Sequence, residues 1–196
     1  SLAYQLTALL QPGVAIIITP TQSLIIDQYE NLLKNGISSV TCIHSSLRRK
    51  ERKKTLEKIK KAHALFVFVN PEKMQEDAFR KDLLTTSQSN QNYFSYCIID
   101  EAHCISEWGH DFRISYTHMG DNIRKFCKTK NNNNIPFLAL TATASYNVLS
   151  DIQRELNIKE NAIIRIEKQD QPEIYFKIIE VNAEFNPDAG INTNNK

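Results

Sequence analysis

Residues 98–112 read IIDEAHCISEWGHDF. Two carboxylates, Asp100 and Glu101, close an apolar run, and a histidine, a cysteine, a tryptophan, a glycine, a second histidine and a phenylalanine follow at once. Acids at the end of a buried strand suit phosphate chemistry. An aspartate there can hold a magnesium ion, usually through water, while a neighbouring glutamate orients or deprotonates the water that attacks a γ-phosphate. The plain alternative is a pair of solvated acids at a strand end. The complete string after the acids weighs against it, and so does the Thr-Ala-Thr segment at 141 to 143, one strand later.

The aromatics raise a second question. Trp108, Phe112 and Arg113 lie on a stretch with Gly109 and polar residues between them, which favours a loop over a packed element. Flat rings and a guanidinium stack on unpaired bases without reading sequence, at roughly 1 to 3 kcal/mol per base. The competing reading makes Trp108 and Phe112 ordinary core aromatics.

These groups need strands that end where the acids stand. Short apolar runs recur as VAIIIT at 14–19, SSVTCI at 38–43, ALFVFV at 64–69, YCIID at 96–100 and PFLALT at 136–141. Such runs read as strands buried on both faces, so the pattern predicts an α/β fold with a mostly parallel sheet. Helices are predicted over 2–10, 22–35, 46–61, 76–84, 117–127 and 145–157. Ligands of a parallel sheet bind beyond the carboxyl ends of its strands, and Asp100 and Glu101 stand at such an end. Two polar patches, TTSQSNQN at 85–92 and KTKNNNN at 128–134, read as surface loops. After about residue 165 the alternation weakens; PEIYFKIIEV at 172–181 reads as one more strand and NPDAGINTNNK as a disordered or truncated end.

Composition bounds the class. At 196 residues with 41% hydrophobic content, the chain can bury one real core. Its apolar runs fall far short of the roughly 18 to 20 residues of a membrane helix, and the N-terminus has no signal-peptide layout, so no membrane partner and an intracellular location are expected. Cys42, Cys97, Cys104 and Cys127 show neither CxxC pairing nor metal-like spacing with histidine, which predicts free thiols. A net charge of +2 neither demands nor excludes nucleic acid, so the distribution of charge matters more than its sum. RRKERKKTLEKIKK at 48–61 carries nine basic and two acidic residues. Leu47, Leu56 and Ile59 give it only a narrow apolar stripe, and it reads as a solvated helix face rather than a nucleic-acid contact.

DEAHCISEWGHDF, taken with ALTATAS at 139–145, ITPTQSLIIDQ at 18–28 and VNPEKM at 69–74, resembles the first motor domain of RecQ-type DNA helicases over about residues 1–165. The resemblance implies a RecA-like P-loop NTPase domain that uses ATP and Mg²⁺. Its implied partners are DNA, as single strands and duplex junctions, and a second RecA-like domain of the same parent chain. ATP hydrolysis would drive strand translocation and duplex unwinding in DNA repair and recombination. It implies that Asp100 holds Mg²⁺, that Glu101 is the catalytic acid positioning water, and that His103 contacts the γ-phosphate or the Thr-Ala-Thr segment. Thr141 and Thr143 would link nucleotide state to domain movement. Trp108, His110, Phe112 and Arg113, with Asp111, would form an aromatic-rich loop coupling bound strand to hydrolysis. Pro20, Thr21, Gln22, Ser23, Pro71 and Glu72 match positions that contact the DNA backbone, where neutral donors position a strand without specifying its sequence.

In the same family a phosphate loop ending in Gly-Lys-Ser runs into a helix like SLAYQL. Ser1 would then bind nucleotide and ligate magnesium at a helix N-terminus, although a serine opening a helix is also a plain N-cap. On this reading residues 1–165 are a first motor domain that begins inside its phosphate loop and does not hydrolyse ATP alone. Residues 166–196 are a linker leading to a second domain, or a tail. Three residues depart from the family pattern: Glu107 stands for glutamine, Ile114 for proline and Gln171 for arginine. A DEAH-type RNA helicase would leave CISEWGHDFR unexplained, and a strand-binding module without a motor would not need Asp100, Glu101 and the Thr-Ala-Thr segment intact.

Overall fold

A computed structural model describes residues 2–88, 92–109 and 111–164. The expectations for Ser1, His110, Gln171, the strand at 172–181 and the tail lie outside the described residues. Ser1–Ile163 is one compact unit and Ile164–Lys196 a second; every described residue but Ile164 belongs to the first.

Five strands, β1 (Val14–Ile18), β2 (Val40–Ile43), β3 (Phe66–Val69), β4 (Phe94–Ile99) and β5 (Phe137–Ala139), form one sheet in the order β2-β3-β1-β4-β5, with every neighbouring pair parallel. Parallel neighbours need crossover connections, usually helical. These are α2 (Gln22–Lys34), α3 (Arg49–Lys60), the short α4 (Pro71–Met74) with α5 (Asp77–Ser87), and α6 (Met119–Phe126); α1 (Leu2–Leu10) precedes the sheet and α7 (Tyr146–Leu156) follows it.

Side chains alternate across a strand, so a sheet covered on both faces sorts its residues by parity. Val14, Ile16 and Ile18 enter a core with Ile59, Phe79, Ile123 and Ile152 from α3, α5, α6 and α7. Ala15 and Ile17 enter a second core with Tyr4 and Ala8 from α1 and Ile25 and Leu32 from α2. The expected α/β architecture, with helices on both faces of a parallel sheet, is the observed one. All four cysteines are free, and Cys97, Cys104 and Cys127 are buried. Among the described residues no helix is long and apolar enough to cross a membrane.

The local sequence explains most boundaries. Thr21 Oγ1 accepts the Leu24 N–H to start α2, and Ser145 Oγ accepts the Val148 N–H to start α7, each at 3.4 Å. Helix α5 runs to Ser87, three residues into the stretch expected to be a loop. The hydroxyls of Thr85, Thr86 and Ser87 donate to the carbonyls of Lys81, Asp82 and Leu83 one turn back. Those residues therefore satisfy themselves on the helix rather than in water. The second polar patch is a loop, closed by a bridge between Lys128 and Asn134. The short α4 was absent from the periodicity reading, although Pro71 at its first position pre-sets the backbone for a helix start.

Gly120 in α6 lies so close to α7 that a Cβ there would meet the Glu155 carbonyl oxygen. Alanine normally favours a helix interior over glycine by about 1 kcal/mol, whereas forcing an atom into a packed contact costs roughly 1 to 3 kcal/mol. Gly120→Ala is therefore expected to lower the denaturant midpoint at unchanged m-value. A midpoint equal to or above that of the unsubstituted chain would show that the α6–α7 contact yields.

Candidate functional site

The acids sit on a strained turn. Asp100 N–H donates to Ile18 O at 2.9 Å, extending the β4–β1 ladder one residue past β4. Glu101 then turns the chain with φ 52° and ψ 49°, a left-handed conformation that costs a non-glycine residue roughly 1–2 kcal/mol. It is held from both sides: Asp100 Oδ1 accepts the Glu101 N–H at 3.2 Å, and the Ala102 N–H donates to Leu140 O at 2.8 Å. A 3-10 turn, Ala102–Ile105, follows. Both acids are half-buried at the carboxyl edge of the sheet. Burial, with the Asp100 charge adding to it, pushes the Tyr4 hydroxyl up, and that buried hydroxyl makes no hydrogen bond among the described residues.

No cluster of three metal-ligating side chains occurs among the described residues. Magnesium, where a nucleotide brings it, keeps several waters and takes one or two carboxylates together with substrate phosphates. Asp100 offers the hard oxygen such an ion takes, beside a Tyr4 hydroxyl with no partner among the described residues.

His103 joins the acids to the Thr-Ala-Thr segment. Its Nδ1 lies 3.1 Å from Thr141 Oγ1 and 3.3 Å from Glu101 Oε2, so one ring nitrogen touches both. Thr141 Oγ1 donates to Thr143 O at 2.9 Å and accepts the Thr143 N–H at 3.2 Å, folding the segment on itself. Asp100, Glu101, His103, Thr141 and Thr143 thus form one connected cluster.

The same 3-10 turn leads into the aromatic loop. Trp108 is 73% exposed and Phe112 37%, so Trp108 is not a core aromatic. Buried Ser106 shapes the loop by accepting the Trp108 N–H on Oγ at 3.1 Å and the Gly109 N–H on its carbonyl at 2.9 Å. Gly109 passes so near the His103 carbonyl that a Cβ has no room. Ser106 Oγ donates in turn to Asp151 Oδ2 of α7 at 2.6 Å, and Arg154 Nη2 holds the other oxygen at 2.6 Å. Between loop and helix lies a cavity of about 350 Å³ walled by Trp108, Phe112, Tyr116, Asp151, Arg154 and Glu155. A hydrogen bond from Arg113 holds the Asp111 carboxyl below its usual range. Because that shift is a depression, the pair's contribution is complete above the unfolded value of about 3.9 and fades as the pH falls below it. Burial, and then Asp111, push the Cys104 thiol up to about 11, so it stays protonated at neutral pH.

The two other loops at this edge are tied to the first. Pro20 is buried, and its carbonyl accepts Arg113 Nη1 at 2.9 Å. Thr21 is engaged as the α2 cap, Ser23 is exposed beside it at 3.2 Å, and Gln22 Oε1 accepts Ser46 Oγ at 2.7 Å. Pro71 is buried at the start of α4. Glu72 accepts Asn70 Nδ2 at 2.6 Å and Ser115 Oγ at 3.1 Å. Arg113 and Glu72 therefore knit loops together, a use that the stacking and strand-contact readings did not include. Ser106, Asp151 and Ser115 carried no sequence signal: Ser106 and Asp151 are 45 residues apart.

The profile of the DEAD/DEAH box helicases matches residues 1–152. This chain belongs to that family. It is 36% identical over 183 residues to ATP-dependent DNA helicase Q-like 4B of Arabidopsis thaliana, covering 91% of this chain and 15% of the relative. It is 36% identical over 180 residues to ATP-dependent DNA helicase RecQ of Haemophilus influenzae, covering 92% of this chain and 27% of the relative. The RecQ-type resemblance thus holds along the chain, which spans only 15% to 27% of those two relatives. The Dbp5 C-terminal domain of S. cerevisiae, solved bound to Gle1 and IP6, shares the fold at TM-score 0.50 and 16% identity, over 81% of this chain and 78% of that one.

In this helicase domain, Trp108→Ala is expected to leave stability nearly unchanged, within about 0.5 kcal/mol, because the ring is exposed. Asp151→Ala should cost more, roughly 1.5–3 kcal/mol, because it strips a charged acceptor from buried Ser106. It should also lower the fluorescence anisotropy of Trp108, the chain's single tryptophan. Paired thermal melts and anisotropy check both; the reverse ranking of stabilities would mean that α7 does not hold the loop.

Proposed function

We propose that this chain is the first of two RecA-like motor domains in a RecQ-type ATP-dependent DNA helicase, coupling ATP hydrolysis to movement along one DNA strand and to unwinding. The observation that carries the reading is the connected path from Glu101 through His103 to Thr141, with the aromatic loop starting on the same turn. The names of the relatives, all ATP-dependent DNA helicases, support the substrate class.

Magnesium, bound with ATP, supplies positive charge along the phosphate oxygens. Asp100 would hold it, and Ser1 would add a hydroxyl. Glu101 orients the attacking water: its carboxylate needs the negative charge, and His103 steadies one of its oxygens while leaving the other open. Thr141 and Thr143 feel the nucleotide state through His103 and pass it to the second domain, whose opening and closing steps the motor. Strand enters this circuit at Trp108. A base stacked on the ring pulls on Ser106, whose N–H is bonded to His103 O at 3.2 Å, so the load reaches the residue between acid and threonine. Phe112 extends the same surface, the family resemblance adds His110 to the strand contacts, and Pro20 to Ser23 with Pro71 and Glu72 bring the sheet-edge loops against the strand backbone.

In a protein carrying this domain joined to its second motor domain, Glu101→Gln should lower DNA-stimulated ATP hydrolysis by roughly 100-fold or more, the usual scale for a lost acid–base group. Nucleotide binding should survive. Turnover within a few-fold of the unsubstituted protein would remove Glu101 from catalysis, and stronger stimulation by single-stranded RNA than by DNA would favour an RNA helicase.

A further inference from the structure

The chain's charge is concentrated in one place. Residues 48–61 hold nine basic and two acidic side chains, a local +7, in a chain whose total is +2, so the remaining 182 residues carry −5. Sequence alone left this segment as a solvated face, and three structural observations change that reading.

Helix α3 and helix α5 enclose an open groove of about 500 Å³, lined by Arg49, Arg52, Lys53 and Lys60 and, on the acidic side, by Glu57 and Asp82. Lys60 pairs with Asp82 at 3.4 Å and Arg52 with Glu76 at 3.1 Å. Arg49 and Lys53 are exposed and make no ion pair or side-chain hydrogen bond among the described residues, and the same holds for Lys50 and Lys54. These four cations crowd the first half of α3, where Glu51 is the only acid of the first turn. Cations at a helix N-terminus oppose its dipole, and Arg49 with Lys53 and Lys50 with Lys54 are like charges one turn apart, so the arrangement works against the free helix. A bound polyanion reverses both effects. The groove also begins beside the loops proposed to hold the strand: Ser46, just before α3, donates to Gln22 at 2.7 Å, and Arg52 reaches Glu76 just past α4.

We propose that the α3–α5 groove is a second nucleic-acid site, which takes the phosphate backbone of a double-stranded DNA arm through Arg49 and Lys53, with Lys50 and Lys54 flanking. The proposal rests on the helicase reading for its choice of DNA as the polyanion. Twelve residues of α3 span about 18 Å, against one charge per roughly 1.7 Å of duplex axis, so the match is one of charge density along a line. Side chains of this kind contact phosphates only and give no sequence preference.

The test compares this chain with its Arg49→Glu/Lys53→Glu variant. Both positions are exposed, and acids near a helix N-terminus are favourable, so the variant should melt no lower than the parent. Binding of a labelled duplex is measured across a salt series, and binding of a dT oligomer by quenching of Trp108. The expected result is a loss of duplex affinity of at least tenfold at low salt and a salt slope shallower by close to 2, at about 0.9 per phosphate contact, with dT quenching of Trp108 unchanged. Unchanged duplex affinity and slope would overturn the groove site while leaving the helicase reading intact. Equal loss of duplex binding and of Trp108 quenching would also overturn it, because the variant would then be acting at the motor's own strand contacts. Groove-dependent duplex binding without any Trp108 response would uphold the groove and withdraw the aromatic loop instead. Binding of a polyglutamate peptide, but not of duplex, through the same two residues would overturn DNA as the ligand in favour of an acidic protein.

Discussion

Because all five strands run parallel, the backbone leaves each of them at the same edge, and the crossover that carries it back must begin there. Buried backbone groups at that edge still need partners. The ladders supply them by running one residue beyond the strands: Thr19 N–H to Val69 O, Asp100 N–H to Ile18 O, Asn70 N–H to Ile43 O and Leu140 N–H to Ile99 O. The residues that follow are then free to be polar without breaking the core. Pro20 to Ser23, Ser45 and Ser46, Asn70 to Glu72, Asp100 with Glu101, and Thr141 to Thr143 all occupy such exits. The chemistry of the domain collects on one edge because the topology leaves it nowhere else to emerge.

Collection is not yet coupling, which needs contacts that hold the exits in register with one another. The left-handed Glu101 is where this constraint is tightest. A glycine would adopt that conformation without cost but would bring no carboxylate, so the turn keeps a strained glutamate and holds it with Asp100 Oδ1 on one side and Leu140 O on the other. The second of those bonds fixes the acid turn to the β5 exit, and His103 repeats the link through Thr141. Arg113 on Pro20 O and Glu72 on Ser115 extend it to the β1 and β3 exits. A displacement at any one loop therefore meets hydrogen bonds rather than solvent, and such discrete contacts can occupy two arrangements where a water-filled gap would only blur them.

Most of the fold was legible because its signals are local. Short apolar runs marked each strand, and the polar, helix-period stretches between them marked the main helices. The acid turn and the aromatic loop were legible for the same reason, since residues 100 to 113 are contiguous. What escaped was non-local or depended on a side chain's choice of partner. The hydroxyls at 85–87 could face water or their own helix, and only packing against the 126–128 segment, where Ser87 Oγ meets Phe126 O and the Lys128 N–H, decides for the helix. Ser106 finds Asp151 across 45 residues, a separation that leaves no periodicity to read. Arg113 is chemically able to stack on a base, yet the fold engages its guanidinium with Pro20 and Asp111. Residue type states what a side chain can do, and the tertiary structure selects among those uses.

The strand order separates the acid turn from the basic helix along the sheet edge. The acids stand at the exit of β4 and the basic helix at the exit of β2, with β3 and β1 between them. Three inter-strand spacings of about 4.8 Å place these exits roughly 14 Å apart. That exceeds the Debye length of about 8 Å at physiological ionic strength, so the field of the solvated α3 cations is largely screened before it reaches the acids. Had α3 followed β1 or β4 instead, its net +5 would lie against the acids of the β4 exit and compete with any cation they hold. At the far edge it can attract a nucleic-acid backbone, as proposed, with little of its field reaching the acid turn, whereas the bonded path of His103 and Ser106 serves the aromatic loop.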